Sequence, residues 1–328
     1  MGIVLDRPVD MHLHLRQGEM LKDVIPWSSR QFAGGVVMPN LTPPVDSGEK
    51  VDKYREEIEE ALNGEAFKPL MTLFMRNYTY RELKEWRSKI FSIKLYPAGI
   101  TTNSEAGVKK LEEIYPVLEI MEELKIPLSV HGETNGFVME REREFAPIYL
   151  KLAKDFPNLP IIMEHISTIE LVDLLEKAPN LYATITLHHL LFTLDDVVGG
   201  KLNPHFFCKP ILKTPKDREA LQNVVKSGHP KVMFGSDSAP HPLGGKLRGS
   251  AGVFSAPVIL PLLTLFFRGD VATFQKFVSS NARENFKLNL PTKKVKIVEE
   301  QWQVPYIVGE VIPLLAGKIL PFRIKNSK

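Results

Sequence analysis

The chain has 328 residues, 44% hydrophobic and 25% charged, and its single cysteine, Cys208, excludes an internal disulfide framework. Its 42 Lys and Arg against 39 Asp and Glu leave a net charge of only +3, without a basic block interleaved with aromatics, so nothing points to nucleic acid. The longest apolar run, 256–267, contains Pro257 and Pro261 and is too short to cross a bilayer; it reads as a core helix. Residues 1–8 show no secretory pattern, and Asp6 stands where a myristoylation motif needs Ser or Thr. The expectation is a soluble cytoplasmic protein without membrane or nucleic-acid partners.

Short apolar or β-branched runs at 11–15, 34–40, 69–75, 91–97, 127–131, 160–165, 181–186 and 231–237 read as strands. Between them, 47–62, 106–124 and 169–177 carry helical periodicity, with a bend expected at Tyr115–Pro116 because proline removes an amide donor. Residues 189–216 read as a long irregular connection, a kind of loop that is usually functional. After about residue 290, stretches 295–304 and 306–320 read as short extended segments. Eight strands alternating with helices predict an α/β chain with a parallel sheet, either an open doubly wound sheet or a (β/α)8 TIM barrel. The barrel would occupy 1–290, with 291–328 as a small extension packed on it.

The placement of chemistry-bearing side chains favours the barrel. His12 and His14 lie at the end of the first run, where residues two apart share a side. Lys94 lies in the fourth run, while His131, His165 and Asp237 close the fifth, sixth and eighth. A barrel gathers residues from the ends of several strands at one mouth. Each histidine alone reads as a hydrogen-bonded core residue; four of them with a carboxylate at strand ends read as a metal site of zinc type. Lys94 is open to three readings: a lysine whose head reaches solvent or a carboxylate, a Schiff-base lysine, or a neutral amine that takes up CO₂ as a carbamate. His188 and His189 read as structural or surface residues, His205 and His229 as surface residues, and Cys208 as buried rather than nucleophilic.

The segments Asp10-Met11-His12-Leu13-His14-Leu15-Arg16, Val37-Met38-Pro39-Asn40, Lys94-Leu95-Tyr96-Pro97-Ala98 and Thr101-Thr102-Asn103 resemble dihydroorotase of the compact bacterial type, in the amidohydrolase superfamily. So do Val130-His131-Gly132-Glu133, Met163-Glu164-His165-Ile166 and Gly235-Ser236-Asp237-Ser238-Ala239-Pro240-His241, and the match runs in order from Asp6 to about Pro257. The resemblance implies a homodimer whose sites hold two zinc ions, bridged by a carbamylated Lys94 (N6-carboxylysine) and a hydroxide. His12, His14, Lys94 and Asp237 would hold one ion, and Lys94, His131 and His165 the other. It implies the reversible cyclisation of N-carbamoyl-L-aspartate to L-dihydroorotate, with Asp237 moving the proton. Arg16, Asn40 and His241 would hold the substrate carboxylate, and Thr101 and Thr102 would lie in a loop over the substrate. Lys209 and Ala251 would touch substrate through their backbones, Lys209 departing from the apolar residue expected there. His14 and His131 would also contact substrate. Hydantoinases and dihydropyrimidinases share the metal chemistry, but usually carry a longer stretch before the first histidine pair than the eleven residues here, and Arg16 suits a carboxylate-bearing ring. A catalytically silent barrel serving as a scaffold would be expected to have lost ligands, whereas all six candidates are present.

Overall fold

The computed structural model describes residues 2–99, 107, 108 and 110–325. Its strands are β1 (Ile3–Asp6), β2 (Val9–Leu13), β3 (Gly34–Val37), β4 (Lys68–Phe74), β5 (Ser92–Leu95), β6 (Leu128–Val130), β7 (Ile161–Met163), β8 (Leu181–Ile185), β9 (Val232–Phe234), β10 (Lys294–Gln303) and β11 (Ile319–Lys325). Strands β2 to β9 pair in chain order as one parallel sheet. The sheet nearly closes: Leu13 bridges Ser238, Asp237 N donates to His12 O at 2.8 Å, and His14 N donates to Ser238 O at 3.1 Å. Gly235 permits this closure, since a Cβ there would lie 2.9 Å from the Cβ atoms of both His12 and Thr184. Helices alternate with the strands, giving the (β/α)8 barrel expected from the sequence.

All eight expected strands are present, several of them ending earlier than the apolar runs do. Most are buried along their whole length, as parallel strands covered by helices must be. Leu13 and Leu15 belong to the large apolar layer that includes the helices, whereas Val9 and Met11 pack with Val36, Met38, Ile162 and Met233. The alternation of β2 therefore changes phase by one residue, where its register on β3 slips between Asp10 and Leu13. Such slips re-aim side chains. Here the slip turns His12 and His14 toward the side that Val9 and Met11 occupy lower in the barrel.

The helix expected at 47–62 runs from Gly48 to Leu62, and Ser47 caps it by accepting from Lys50 N. The helix expected at 106–124 is shorter. Val108 bridges Pro97, a 3-10 turn covers Leu111–Ile114, and the α-helix spans Tyr115–Leu124. Pro116 sits in its first turn, where an amide donor is not needed, so it starts the helix instead of bending it. The 169–177 helix ends at Leu174. The 256–267 run forms a 3-10 turn, Ala256–Val258, and a largely buried helix, Ile259–Phe267. The connection at 189–216 is not irregular, because Leu187–Leu191 and Leu194–Val198 are short helices and Pro204–Phe206 is a 3-10 turn.

Strands β1, β10 and β11 form a separate antiparallel sheet, β10 in the middle. β11 lies later than the extended segment expected at 306–320, since Val308 and Val311 bridge each other and Gly309 and Gly317 take positive φ values that turn the chain first. Among the described residues, no helix is long and apolar enough to cross a membrane.

Candidate active site

The barrel delivers the expected side chains to one mouth, at or just beyond the C-terminal ends of the strands. His12 lies in β2 and His14 one residue past it; Lys94 lies in β5, His131 one residue past β6, His165 two past β7 and Asp237 three past β9. Arg16 and Asn40 follow β2 and β3. Arg16, His165 and Asp237 have φ values of 60°, 41° and 42°, a conformation that side chains other than glycine adopt at a cost of roughly 1–3 kcal/mol each. Three such residues at one mouth mark a place where surrounding structure holds strained backbone for the position it gives the side chain.

One ligand atom each from His12, His14 and Asp237 lie within 4.8 Å of one another. Asp237 Oδ1 is 3.0 Å from His14 Nε2 and 3.5 Å from His12 Nε2. Opposite this trio, His131 Nδ1 faces His165 Nε2 at 3.2 Å. The His12 and His165 rings, 5.0 Å apart between centroids, connect the two groups. Burial lowers His14 to about 4, and it also lowers His131 and, further, His165. These three imidazoles are therefore neutral, the form that binds metal. Burial opposes ionisation of Asp237, but the His14 hydrogen bond and the nearby His12 reverse it and hold the carboxyl below the usual range.

Lys94 is fully buried, and its Nζ has no hydrogen-bond partner among the described residues; it lies 5.1 Å from the Tyr96 ring centre. This rules out the reading in which its head reaches solvent. Burial pulls Lys94 down to about 8, although Glu164 and Asp237 favour its charge. An amine near neutrality in a cluster of ligands is a nucleophile and not only a cation.

Two carboxylates without an assigned role in the sequence reading complete the arrangement. Glu164 Oε2 lies 2.9 Å from His12 Nδ1 and accepts from Thr184 Oγ1 at 2.7 Å. Glu133 Oε2 lies 2.8 Å from His131 Nε2. Each orients a histidine from behind, leaving the other ring nitrogen to face the centre. Burial would neutralise both glutamates, but the facing histidines keep them below their ordinary range. The sequence signal was present, since Glu164 precedes His165 and Glu133 is two residues beyond His131, but acids beside histidines are common.

A small pocket opens above these groups, lined by His12, His14, Asn40, His131, His165 and Asp237, and closed by Arg16, Tyr96, Lys209, Ala239, Ala251 and Gly252. Arg16 donates through Nε to Pro240 O at 3.0 Å, and its NH2 lies 3.2 Å from His241 Nε2. His241 also meets Ala251 O at 2.9 Å, and burial beside Arg16 pushes it down to about 3. The structure thus brings together His12, His14, Arg16, Asn40, Lys94, His131, His165, Lys209, Asp237, His241 and Ala251. Thr101 and Thr102 lie outside the described residues. Tyr96, two residues beyond Lys94, was not singled out from the sequence, although strand periodicity puts it on the same side. At Gly252, with φ 151°, a Cβ would come within 2.7 Å of Ala239 O, so only glycine allows this wall of the pocket.

The remaining histidines differ in setting. His188 and His189 are buried, so the surface alternative is ruled out for them; His205 and His229 are half-buried, the latter paired with Glu176. Cys208 is buried, as expected, and burial raises its thiol.

The profile of the Amidohydrolase family matches residues 19–288. The dihydroorotase of Helicobacter hepaticus is 46% identical over 336 aligned positions, covering 98% of each chain. The crystal structure of dihydroorotase from Campylobacter jejuni superposes with a TM-score of 0.95 at 52% identity, covering 99% of this chain and 97% of that one. The dihydroorotase of Saccharomyces cerevisiae, in complex with 5-fluoroorotic acid, superposes with a TM-score of 0.91 at 31% identity over 99% and 98%. A nearly closed barrel with this ring of histidines, and full-length likeness to these enzymes, make the chain a member of the dihydroorotase family of amidohydrolases, which act on cyclic amides.

Proposed function

We propose that the chain interconverts N-carbamoyl-L-aspartate and L-dihydroorotate with two zinc ions, and that Lys94 carries a carbamate. The observation that carries this reading is the buried Lys94 Nζ, without a hydrogen-bond partner among the described residues and within electrostatic reach of His131, His165 and Asp237. A dry ammonium beside dications would be unstable. Reaction of the neutral amine with CO₂ forms an N–C bond and releases a proton, turning the lysine into an anion with two oxygen donors. His12, His14, Asp237 and the carbamate would hold the first ion, and His131, His165 and the carbamate the second. Nitrogen donors with a carboxylate suit zinc. When bound, such a pair would supply Lewis acidity toward an amide carbonyl and make water acidic near neutral pH.

The residues of the chain do the rest. Asp237 takes the proton of the attacking water in hydrolysis and returns it to the departing ring nitrogen; in cyclisation it starts protonated. Acidic conditions therefore favour ring closure and alkaline conditions hydrolysis. Arg16, with Asn40 and His241 beside it, receives the carboxylate outside the ring, a group also carried by the 5-fluoroorotic acid of the yeast relative. Arginine offers that carboxylate a two-pronged contact. Lys209 and Ala251 line the same pocket and are assigned to backbone contacts, and Thr101 and Thr102 to hydroxyl contacts from the loop. Three further parts of this proposal have different supports: the homodimer rests on the family resemblance, the cytoplasmic location on the single cysteine and the N-terminal sequence, and the division into a barrel of residues 1–290 with an extension of 291–328 on the order of the strands.

The test is loss of L-dihydroorotate absorbance with zinc-loaded protein, hydantoin serving as parallel substrate. Chelator-sensitive turnover of dihydroorotate with little effect on hydantoin is expected. Protein that binds zinc yet leaves dihydroorotate intact would overturn the reading.

A further inference from the structure

Behind the pocket wall lies a second group of ligand side chains that the reaction does not use. His188 and His189 stand in the short helix Leu187–Leu191 after β8, and Cys208 stands in the segment that returns beside it. One ligand atom from each lies within 4.8 Å of the others, and all three residues are buried. The two imidazole rings are 4.7 Å apart between centroids.

The hydrogen bonds of this cluster fix the tautomer of one histidine and leave the other unsatisfied. His189 Nε2 lies 3.0 Å from Pro210 O, which can only accept, so Nε2 carries the hydrogen and Nδ1 the lone pair. At present Nδ1 meets the Thr186 hydroxyl at 2.8 Å. The Cys208 thiol donates to the same Pro210 carbonyl at 3.2 Å. His188 is wholly buried, and neither of its ring nitrogens has a hydrogen-bond partner among the described residues. An imidazole always has one N–H and one lone pair, so a ring left with both unmade in a dry interior needs something else to bind. A carbonyl fixing the far nitrogen of a histidine is the arrangement that supports metal ligation.

We propose that His188, His189 and Cys208 form a separate site for a soft divalent cation of zinc type. Two imidazoles and a thiolate match such an ion, and water takes the fourth place. On binding, the sulfur–metal bond forms as the thiol proton leaves to solvent, and the two imidazoles donate lone pairs without losing charge. The site would tie the segment carrying Lys209, which lines the active pocket, to the end of β8. It is independent of the catalytic reading above, since it shares no ligand with it.

Cys208 is the single cysteine, so a thiolate-to-cobalt charge-transfer band can arise nowhere else in the chain. Metal-free protein titrated with Co²⁺ should develop that band in the near ultraviolet and take up one metal equivalent more than the catalytic centre holds. Cys208→Ser should lose both the band and that equivalent, and His188→Gln the extra equivalent. Saturation of the wild-type protein without a thiolate band would overturn the proposal, whether or not either variant folds. Dihydroorotate turnover in the same samples reports on the catalytic reading separately, so a missing band with intact turnover counts against this site alone.

Discussion

His12 turns its Nδ1 to the carboxylate of Glu164 at 2.9 Å, across the barrel mouth from β2 to the residue just past β7. Both side chains are buried, and Thr184 steadies the same carboxylate oxygen. A carboxylate at that distance favours hydrogen on Nδ1 of His12, which leaves the Nε2 lone pair for the proposed metal. Glu164→Gln should weaken metal binding by about 10–100-fold. Competition with a chromogenic chelator reads this directly. Unchanged affinity in a variant of normal melting temperature would reduce Glu164 to a packing residue.

Asp237 is the proton carrier of the proposed cycle. Asn is the informative replacement, since it tolerates the positive φ of this position better than most residues and keeps the shape of the side chain. Asp237→Asn should lower kcat by at least roughly 10²–10⁴-fold, the usual share of general acid–base catalysis. Circular dichroism should show an intact fold. Near-normal kcat would remove Asp237 from proton transfer.

Arg16 is held by Pro240 O and His241, so its fork is oriented before substrate arrives. Lysine would keep the charge and lose the fork. Arg16→Lys should cost about 1.5–3 kcal/mol, or roughly 10–100-fold in kcat/KM, mainly through KM. An uncharged cyclic amide should be affected far less. A fall in kcat at constant KM would instead place Arg16 in the chemical step.

The proposed ligands were legible because each is a chemically distinctive residue in or at the end of an apolar run, and a barrel converts strand ends into a common site. Their support was not. Glu133 and Glu164 look like ordinary acids until the fold buries them against His131 and His12. The phase change in β2 needs a partner strand to define it, so nothing within residues 9–15 reveals it. Leu187–Leu191 and Leu194–Val198 are helices of barely more than one turn, too short to display a period, and the segment read as irregular. β1, four residues long, lacks the length for an alternation to stand out.

Glu142, which is not among the proposed metal ligands, gives a pH signature of its own. Ser167 donates to it from both N and Oγ, Lys213 Nζ stands 3.7 Å away, and burial pushes the carboxyl from 4.5 up to about 7. Between those values the folded protein keeps a proton that the unfolded chain has released. The stability from this group is therefore complete below about pH 4.5 and is lost as pH rises through about 7. The full span corresponds to about 3 kcal/mol. Thermal unfolding followed from about pH 5 to about pH 8 should show this decline, and Glu142→Gln should flatten it. Equal slopes for both proteins would contradict the assignment.

The pairing of β1 with β10 sets Ile3 opposite Ile297. Within its sheet, β1 has no neighbour except β10, which follows the whole barrel in chain order. Each barrel strand from β3 onward can dock on its predecessor as synthesis proceeds, but β1 must wait through nearly the whole chain. The buried Leu5 stays uncovered for that time. Nascent chains stalled before residue 294 should therefore hold a protease-sensitive segment at β1 beside a barrel already taking shape, and synthesis through β10 should protect it.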